Sequence, residues 1–321
     1  MLEMPKILAI VGPTASGKTA LSIALAHALN GEVVSVDSMQ IYRDMDVGTA
    51  KPSLDEREGV PHHLIDIADP DEPFSVADYV TAAEHAVKDI LSRGRLPIFC
   101  GGTGLYLDAF LRGGVCEAPG ANEALRAELY EIAEHEGAEA LHAMLAECDP
   151  ESAAATPAGN VRRVVRAIEI YRLTGIPKTE WDRRSREIPQ RYNAAVIGLS
   201  FQNRALLYRR IEQRVDIMLQ NGLLDETRRL LDRGVFERSP TAAAAIGYKE
   251  LLPFLRGECA LEEAVEQLKT ATRRYAKRQL TWFNAKEYVH MMPIDDGETT
   301  RKSEEIVNNS LEYARDAWSM L

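Results

Sequence analysis

The eight residues Gly12-Pro13-Thr14-Ala15-Ser16-Gly17-Lys18-Thr19 match G-x-x-x-x-G-K-[ST] in full. They follow a short apolar run, Lys6–Val11, and open a stretch of helical spacing, Thr19–Leu29. A strand, a glycine-rich turn and a helix in that order form a phosphate loop, whose backbone N–H groups and helix N-terminus face an anion. Gly12, Pro13, Thr14, Ala15, Ser16, Gly17, Lys18 and Thr19 are therefore the candidate phosphate-binding residues. Lys18 would meet phosphate oxygens as a cation, and the Thr19 hydroxyl would ligate Mg²⁺. The motif implies a di- or triphosphate ligand without saying which.

The surrounding pattern predicts the architecture. Strand-like Glu32–Val36, His62–Ile67, Leu96–Cys100 and Ala194–Ser200 alternate with helical stretches such as Ala77–Arg93. This predicts an α/β fold, a P-loop NTPase-like core whose parallel sheet is flanked by helices. The region from 113 to 193 has little strand signal. Its alanine-rich and charged stretches, 122–135, 138–147 and 161–173, predict an inserted all-helical domain between core segments 1–112 and 194–321. Within it, Val161, Val164, Val165 and Ile168 form an apolar stripe on a helix that Asn160 can cap.

Other features narrow the chemistry. A second acidic motif would be an apolar strand ending in Asp, yet Leu96–Cys100 runs into Gly101-Gly102-Thr103-Gly104, and Asp66 is a weak substitute. No N-K-x-D sequence occurs, which argues against a GTPase or motor ATPase. Four widely spaced cysteines, Cys100, Cys116, Cys148 and Cys259, form no C-x-x-C pair, which fits a reducing cytoplasm rather than a disulfide framework. No stretch approaches ~18 apolar residues, so no membrane helix is expected. The N-terminal apolar run lacks a cleavage site, so no secretory signal is expected either. The adjacent His62 and His63 face opposite sides of a strand and read as structural.

Asp37 closes the second strand. Ligands of parallel α/β sheets lie beyond the carboxyl ends of the strands. Asp37 could therefore be a general base or support a metal near the phosphate loop, or it could simply cap the next segment. Formal net charge is −11, which disfavours non-specific coating of nucleic acid. Two local patches run the other way. Arg162 to Arg191 holds nine Lys/Arg against four Asp/Glu, and Lys269 to Lys286 holds six Lys/Arg and no acid, interleaved with Tyr275, Trp282 and Phe283. Such patches suit phosphate contacts and base stacking, although either alone could be a solvated helix face.

These residues resemble the bacterial tRNA dimethylallyltransferases (tRNA isopentenyltransferases, the IPP transferase family). The matching blocks are GPTASGKT at 12–19, DSMQIYR at 37–43, VGTAKP at 47–52, PHHLID at 61–66 and GGTGLY at 101–106. NVRRVVRAIEIY at 160–171, YRRIEQRVDIML at 208–219, AIGYKE at 245–250 and RRYAKRQLTWF at 273–283 complete the set, which spans nearly the whole chain. Ala244 and Asn284 depart from the family pattern, where Gln and Arg are expected.

The resemblance implies transfer of a dimethylallyl group from dimethylallyl diphosphate to the N6 amine of the adenine 3′ of the anticodon, in tRNAs reading codons that begin with U. It makes diphosphate the ligand of the phosphate loop, Mg²⁺ the cofactor, and Asp37 and Arg214 the catalytic residues. On its own helix, Arg214 could as well pair with Glu212 or Asp216. The resemblance further implies tRNA contacts, with the anticodon stem-loop, by Asp37, Ser38, Met39 and Gln40, by Thr103 and Arg126, and by Arg162, Arg163 and Arg166. Gly247, Tyr248 and Lys249, and Lys277, Arg278, Gln279 and Trp282, complete that set. A monomeric cytoplasmic enzyme is expected. The competing readings are a P-loop small-molecule or nucleoside kinase, which needs no basic helices, and a non-catalytic RNA-binding module, which leaves the phosphate loop unexplained.

Overall fold

The computed structural model describes residues 4–113 and 120–319; Cys116 and the rest of 114–119 lie outside them. In chain order the first elements are β1 (Lys6–Val11), α1 (Lys18–Leu29), β2 (Gly31–Val36), β3 (His62–His63), α2 (Val76–Ser92), β4 (Leu96–Gly101) and α3 (Gly104–Leu111). Five helices follow: α4 (Glu123–His135), α5 (Ala138–Cys148), α6 (Pro150–Ala155), α7 (Val161–Thr174) and α8 (Lys178–Glu187). Next come β5 (Asn193–Ser200), α9 (Arg204–Gln220), α10 (Leu223–Asp232) and three single turns, α11 (Val235–Arg238), α12 (Pro240–Ala243) and α13 (Leu252–Leu255). The long α14 (Leu261–Asn284), β6 (His290–Pro293) and α15 (Ser303–Ser319) complete the chain. The chain divides into two compact units, Met1–Leu111 with Arg191–Leu321, and Arg112–Gln190.

The larger unit is built on a six-stranded sheet of order β3-β2-β4-β1-β5-β6 in which every pairing is parallel. Both faces are covered, so β1 and β2 are buried along nearly their whole length rather than on alternate residues. Ile7, Ala9 and Val11 of β1 face a cluster containing Val87, Phe99 and Phe110, while Leu8 and Ile10 face one containing Leu21, Leu25 and Ala314. That split follows from the two-residue period of a strand.

Two elements differ from the sequence expectation. The third strand was expected to run to Ile67, but Leu64 and Asp66 adopt φ of 61° and 58°, left-handed values that cannot continue a ladder. Asp66 instead accepts an ion pair from the buried Lys51 at 2.5 Å. β6 was not expected; it is four residues long, and its signal is lost among flanking helices.

The start of β2 is fixed by a buried carboxylate. Glu32 receives the Arg93 guanidinium and, at 2.7 Å, His63 Nε2. The neighbouring His62 bonds its own loop through Val60 O at 2.8 Å. Both histidines are thus structural.

The register sets the opposite rim. Val11 pairs with Gly101, and Gly101 pairs with Val36, so β1, β2 and β4 end in one row. A Cβ on Gly101 would lie 2.1 Å from Val36 O, an approach that only glycine permits.

The smaller unit packs α4, α5, α6 and α7 around Leu129, Leu141, Leu145, Val164, Val165 and Ile168. Asn160 precedes α7, but its side chain makes no capping bond; its carbonyl accepts from Arg163 and Val164 N–H instead. Glu169 on α7 is fully buried. It accepts from Asn122 N–H at 2.8 Å, Arg126 Nε at 2.9 Å and Arg166 Nη1 at 2.6 Å. Burial pushes its carboxyl up, but these donors outweigh that and hold it below the usual range. Among the described residues no helix is long and apolar enough to cross a membrane.

Two outcomes follow. Arg93 first, then His63, outweigh desolvation and lower the Glu32 carboxyl from 4.5 to about 2. A depressed carboxyl contributes stability that is complete above its unfolded value and is lost as pH falls towards the folded one. The stability gap between wild type and Glu32→Gln, measured by urea unfolding, should therefore narrow as pH drops from 4.5 towards 2. Gly101→Ala should destabilise the larger unit by about 1–3 kcal/mol in the same assay, because the atom it meets is backbone.

Candidate active site

Three loops leave the common rim: Gly12 onward from β1, Asp37 onward from β2, and Gly102-Thr103 from β4. In the first, Ala15 holds a left-handed φ of 63° and Gly17 one of 92° before α1 begins at Lys18. Ala15 is held there by Arg210 on α9, whose Nε donates to its carbonyl at 2.8 Å. Thr14 N–H donates to Gln279 Oε1 on α14 at 2.8 Å. Lys18 turns back and donates to Pro13 O at 2.6 Å. Among the described residues, the buried Ser16 Oγ has no hydrogen-bond partner.

Asp37 opens the second loop. Its Oδ1 accepts from Met39 N–H at 2.8 Å and Gln40 N–H at 3.3 Å, an Asx turn that fixes the carboxylate. No hydrogen bond reaches Oδ2 from the described residues. The next residue, Ser38, donates its N–H to Thr103 Oγ1 at 3.1 Å and so joins the second loop to the third. The Gln40 amide is consumed locally: its Oε1 accepts from Ser35 Oγ at 3.0 Å, and its Nε2 reaches Thr49 O at 3.3 Å.

Lys18, Asp37 and Arg214 converge electrostatically. Burial raises Asp37 above the usual carboxylate range, against the opposing pull of the two N–H groups, Lys18 and Arg214. Burial lowers Lys18 to about 8, with Arg214 acting in the same sense and Cys100 and Asp37 against it. Burial lowers Arg214 too, opposed by Asp37. The local ion pairs open to Arg214 on sequence are taken by other cations: Glu212 pairs with Arg273 at 2.8 Å and Asp216 with Lys269 at 2.7 Å. Two partly buried, desolvated cations within electrostatic reach of one carboxylate form a site prepared for an anion.

The remaining candidates fall in three places. Arg162 and Arg163 are exposed on α7, whereas Arg126 and Arg166 of the same helical unit bind Glu169. Lys249 is exposed, but Gly247 and Tyr248 are buried. Tyr248 OH donates at 2.7 Å to Glu226, a buried carboxylate that also accepts from the N–H groups of Asp46, Val47 and Gly48. Tyr248 thus anchors the loop after Asp37 and offers no side-chain surface to RNA. On α14, Lys277 and Arg278 are exposed, and the Arg278 guanidinium lies 5.5 Å from the Tyr275 ring centroid. With Trp282 and Lys286 they line a groove of about 450 Å³. Gln279 is buried, bonded to Thr14 and Gly102. Arg210, Glu226 and Tyr275 were not picked out as site residues. Arg210 was visible only as the residue four before Arg214, and nothing in the sequence marks Glu226.

Comparison with known proteins identifies the family. The IPP transferase family pattern matches residues 40–286, and an isopentenyl transferase pattern matches residues 5–70. A tRNA dimethylallyltransferase of Geobacillus thermodenitrificans is 52% identical over 91% of this chain and 92% of its own length. The crystal structure of the tRNA isopentenylpyrophosphate transferase from Bacillus halodurans superposes with a TM-score of 0.70 at 46% identity, covering 98% of both chains. A eukaryotic dimethylallyltransferase, captured acting on tRNA, reaches a TM-score of 0.80 at 31% identity, covering 97% of this chain and 80% of its own. The chain belongs to the IPP transferase family, that of the tRNA dimethylallyltransferases.

Proposed function

We infer that this enzyme transfers the dimethylallyl group of dimethylallyl diphosphate to the N6 amine of the adenine 3′ of the anticodon, in tRNAs reading codons that begin with U, and releases diphosphate. The observation that carries the residue roles is the convergence of Lys18, Asp37 and Arg214 beyond the phosphate loop. As the allylic C–O bond lengthens, positive charge grows on carbon and negative charge on diphosphate. The loop N–H groups, Lys18 and Arg214 stabilise the leaving group. The N6 nitrogen forms the new C–N bond, and its proton passes to Asp37 Oδ2, the oxygen that the Asx turn leaves open. A carboxylate already raised by burial is a better proton acceptor than a solvated one.

The residues also fit Mg²⁺. Thr19 presents a hydroxyl at the start of α1, and the described residues contain no cluster of three His, Cys, Asp or Glu side chains. That is the donor set of an ion held mainly by a diphosphate and water, with one protein hydroxyl. Bound there, Mg²⁺ would neutralise charge on the departing diphosphate.

For tRNA we assign surface contact to Arg162 and Arg163, to Lys249, and to the α14 groove of Lys277, Arg278 and Trp282. Ser38, Met39 and Thr103 approach the splayed adenine beside Asp37. Gln40, Gly247, Tyr248, Arg126 and Arg166 act through the backbone and side chains that they hold. The enzyme works as a cytoplasmic monomer in this reading.

Asp37→Asn should keep the Asx turn but lose the proton acceptor. The single-turnover rate should fall by ~10²-fold or more with little change in tRNA affinity; a wild-type rate would remove Asp37 from the chemistry. Lys18→Ala and Arg214→Ala should impair donor use while tRNA binding stays nearly intact. Arg162→Ala with Arg163→Ala should instead weaken tRNA binding and flatten its salt dependence, by roughly 0.7–0.9 in log–log slope per lost phosphate contact. Equal losses of tRNA affinity in both sets would mean that the roles are misassigned.

A further inference from the structure

Gln279 lies in a segment expected to touch tRNA, yet it is only 5% exposed. Its Oε1 accepts Thr14 N–H at 2.8 Å, and its Nε2 donates to Gly102 O at 3.1 Å. A backbone N–H can only donate and a carbonyl can only accept, so the two partners fix the orientation of this amide. Thr14 belongs to the phosphate loop. Gly102 precedes Thr103, whose Oγ1 holds Ser38 N–H at 3.1 Å, and Ser38 follows Asp37. One side chain therefore links the loop that receives the leaving group to the Gly102-Thr103 turn, which itself holds the residue after the proton acceptor. The turn is shaped around it: a Cβ on Gly102 would stand 1.9 Å from Gln279 Nε2. Tyr275, one turn earlier on α14, lies beside Thr103 and Gln279.

We propose that Gln279 is a positioning residue for prenyl transfer: it fixes the separation of the phosphate loop from the Asp37 carboxylate and makes no contact with tRNA. The proposal rests on the prenyl-transfer reading given above. Attack by N6, departure of diphosphate and capture of the proton must share one geometry, and a displacement of about 1 Å can cost on the order of 10²-fold in rate. Losing the amide would leave Thr14 N–H and Gly102 O without their partner, and both loops would relax separately.

The test is single-turnover prenyl transfer with saturating dimethylallyl diphosphate and unmodified tRNA, alongside tRNA binding and thermal unfolding. Gln279→Met should lower the saturated rate by roughly 10- to 100-fold, while tRNA affinity and the donor concentration for half-saturation stay within about twofold. Gly102→Ala should do the same, because its methyl displaces the same amide. In a Gln279→Ala background the space is vacated, so adding Gly102→Ala should cost almost nothing further, a non-additivity specific to this contact. A wild-type saturated rate with weakened tRNA binding in Gln279→Met would make Gln279 an RNA contact and overturn the proposal. Additive losses in the Gly102→Ala/Gln279→Ala cycle would overturn it as well, even if Gln279→Met fails to fold. A wild-type enzyme that transfers no prenyl group would instead sink the functional reading itself.

Discussion

The site depends on the register of three parallel strands. Val11, Gly101 and Val36 lie side by side, so the residues that follow them emerge on one rim of the sheet. The phosphate loop, the Gly102 turn and Asp37 are brought together by backbone pairing before any side-chain contact is made. A parallel sheet of order β3-β2-β4-β1-β5-β6 places its ligand site beyond those carboxyl ends. The cost is close backbone approach, met by a glycine where β4 passes Val36.

Loops emerging together still need fixing, and buried polar side chains do it. Arg210 holds Ala15 in its left-handed turn, and Glu226 gathers the N–H groups of residues 46–48. Asp295, just after β6, accepts from Gln202 and Asn203 N–H at 2.7 and 2.9 Å, tying the segment that leads into α9 to the end of β6. α9 in turn carries Arg210 and Arg214. The two buried carboxylates are each satisfied by several donors, which offsets their desolvation and makes their geometry definite.

The phosphate loop, four of the six strands and the helices 122–135, 138–147 and 161–173 were legible in the sequence, because period and turn chemistry are local signals. The place of Asp37 on the rim after β2 was legible in the sequence, although position alone left its role open. What could not be read is long-range. Nothing near Gln279 announces Thr14, 265 positions away, and nothing near Tyr248 announces Glu226. The resemblance implied a tRNA contact for Gln279, and the fold turns its side chain inward. Arg126 and Arg166 carry charge suited to RNA, but a buried Glu169 two helical turns from the start of α7 takes both. β3 stopped early because two left-handed residues interrupt the stretch expected to continue as a strand to Ile67.

The central claim is that this phosphate loop serves an allylic diphosphate rather than ATP, with Asp37 taking the proton of the attacking amine. The most direct measurement supplies unmodified tRNA with dimethylallyl diphosphate labelled in the allyl group or with γ-labelled ATP, and digests the tRNA to nucleosides. The allyl label should appear on one adenosine 3′ of the anticodon, with release of one diphosphate per label and no transfer of the γ-phosphate. Incorporation of phosphate from ATP, with no allyl label in the tRNA, would contradict the account.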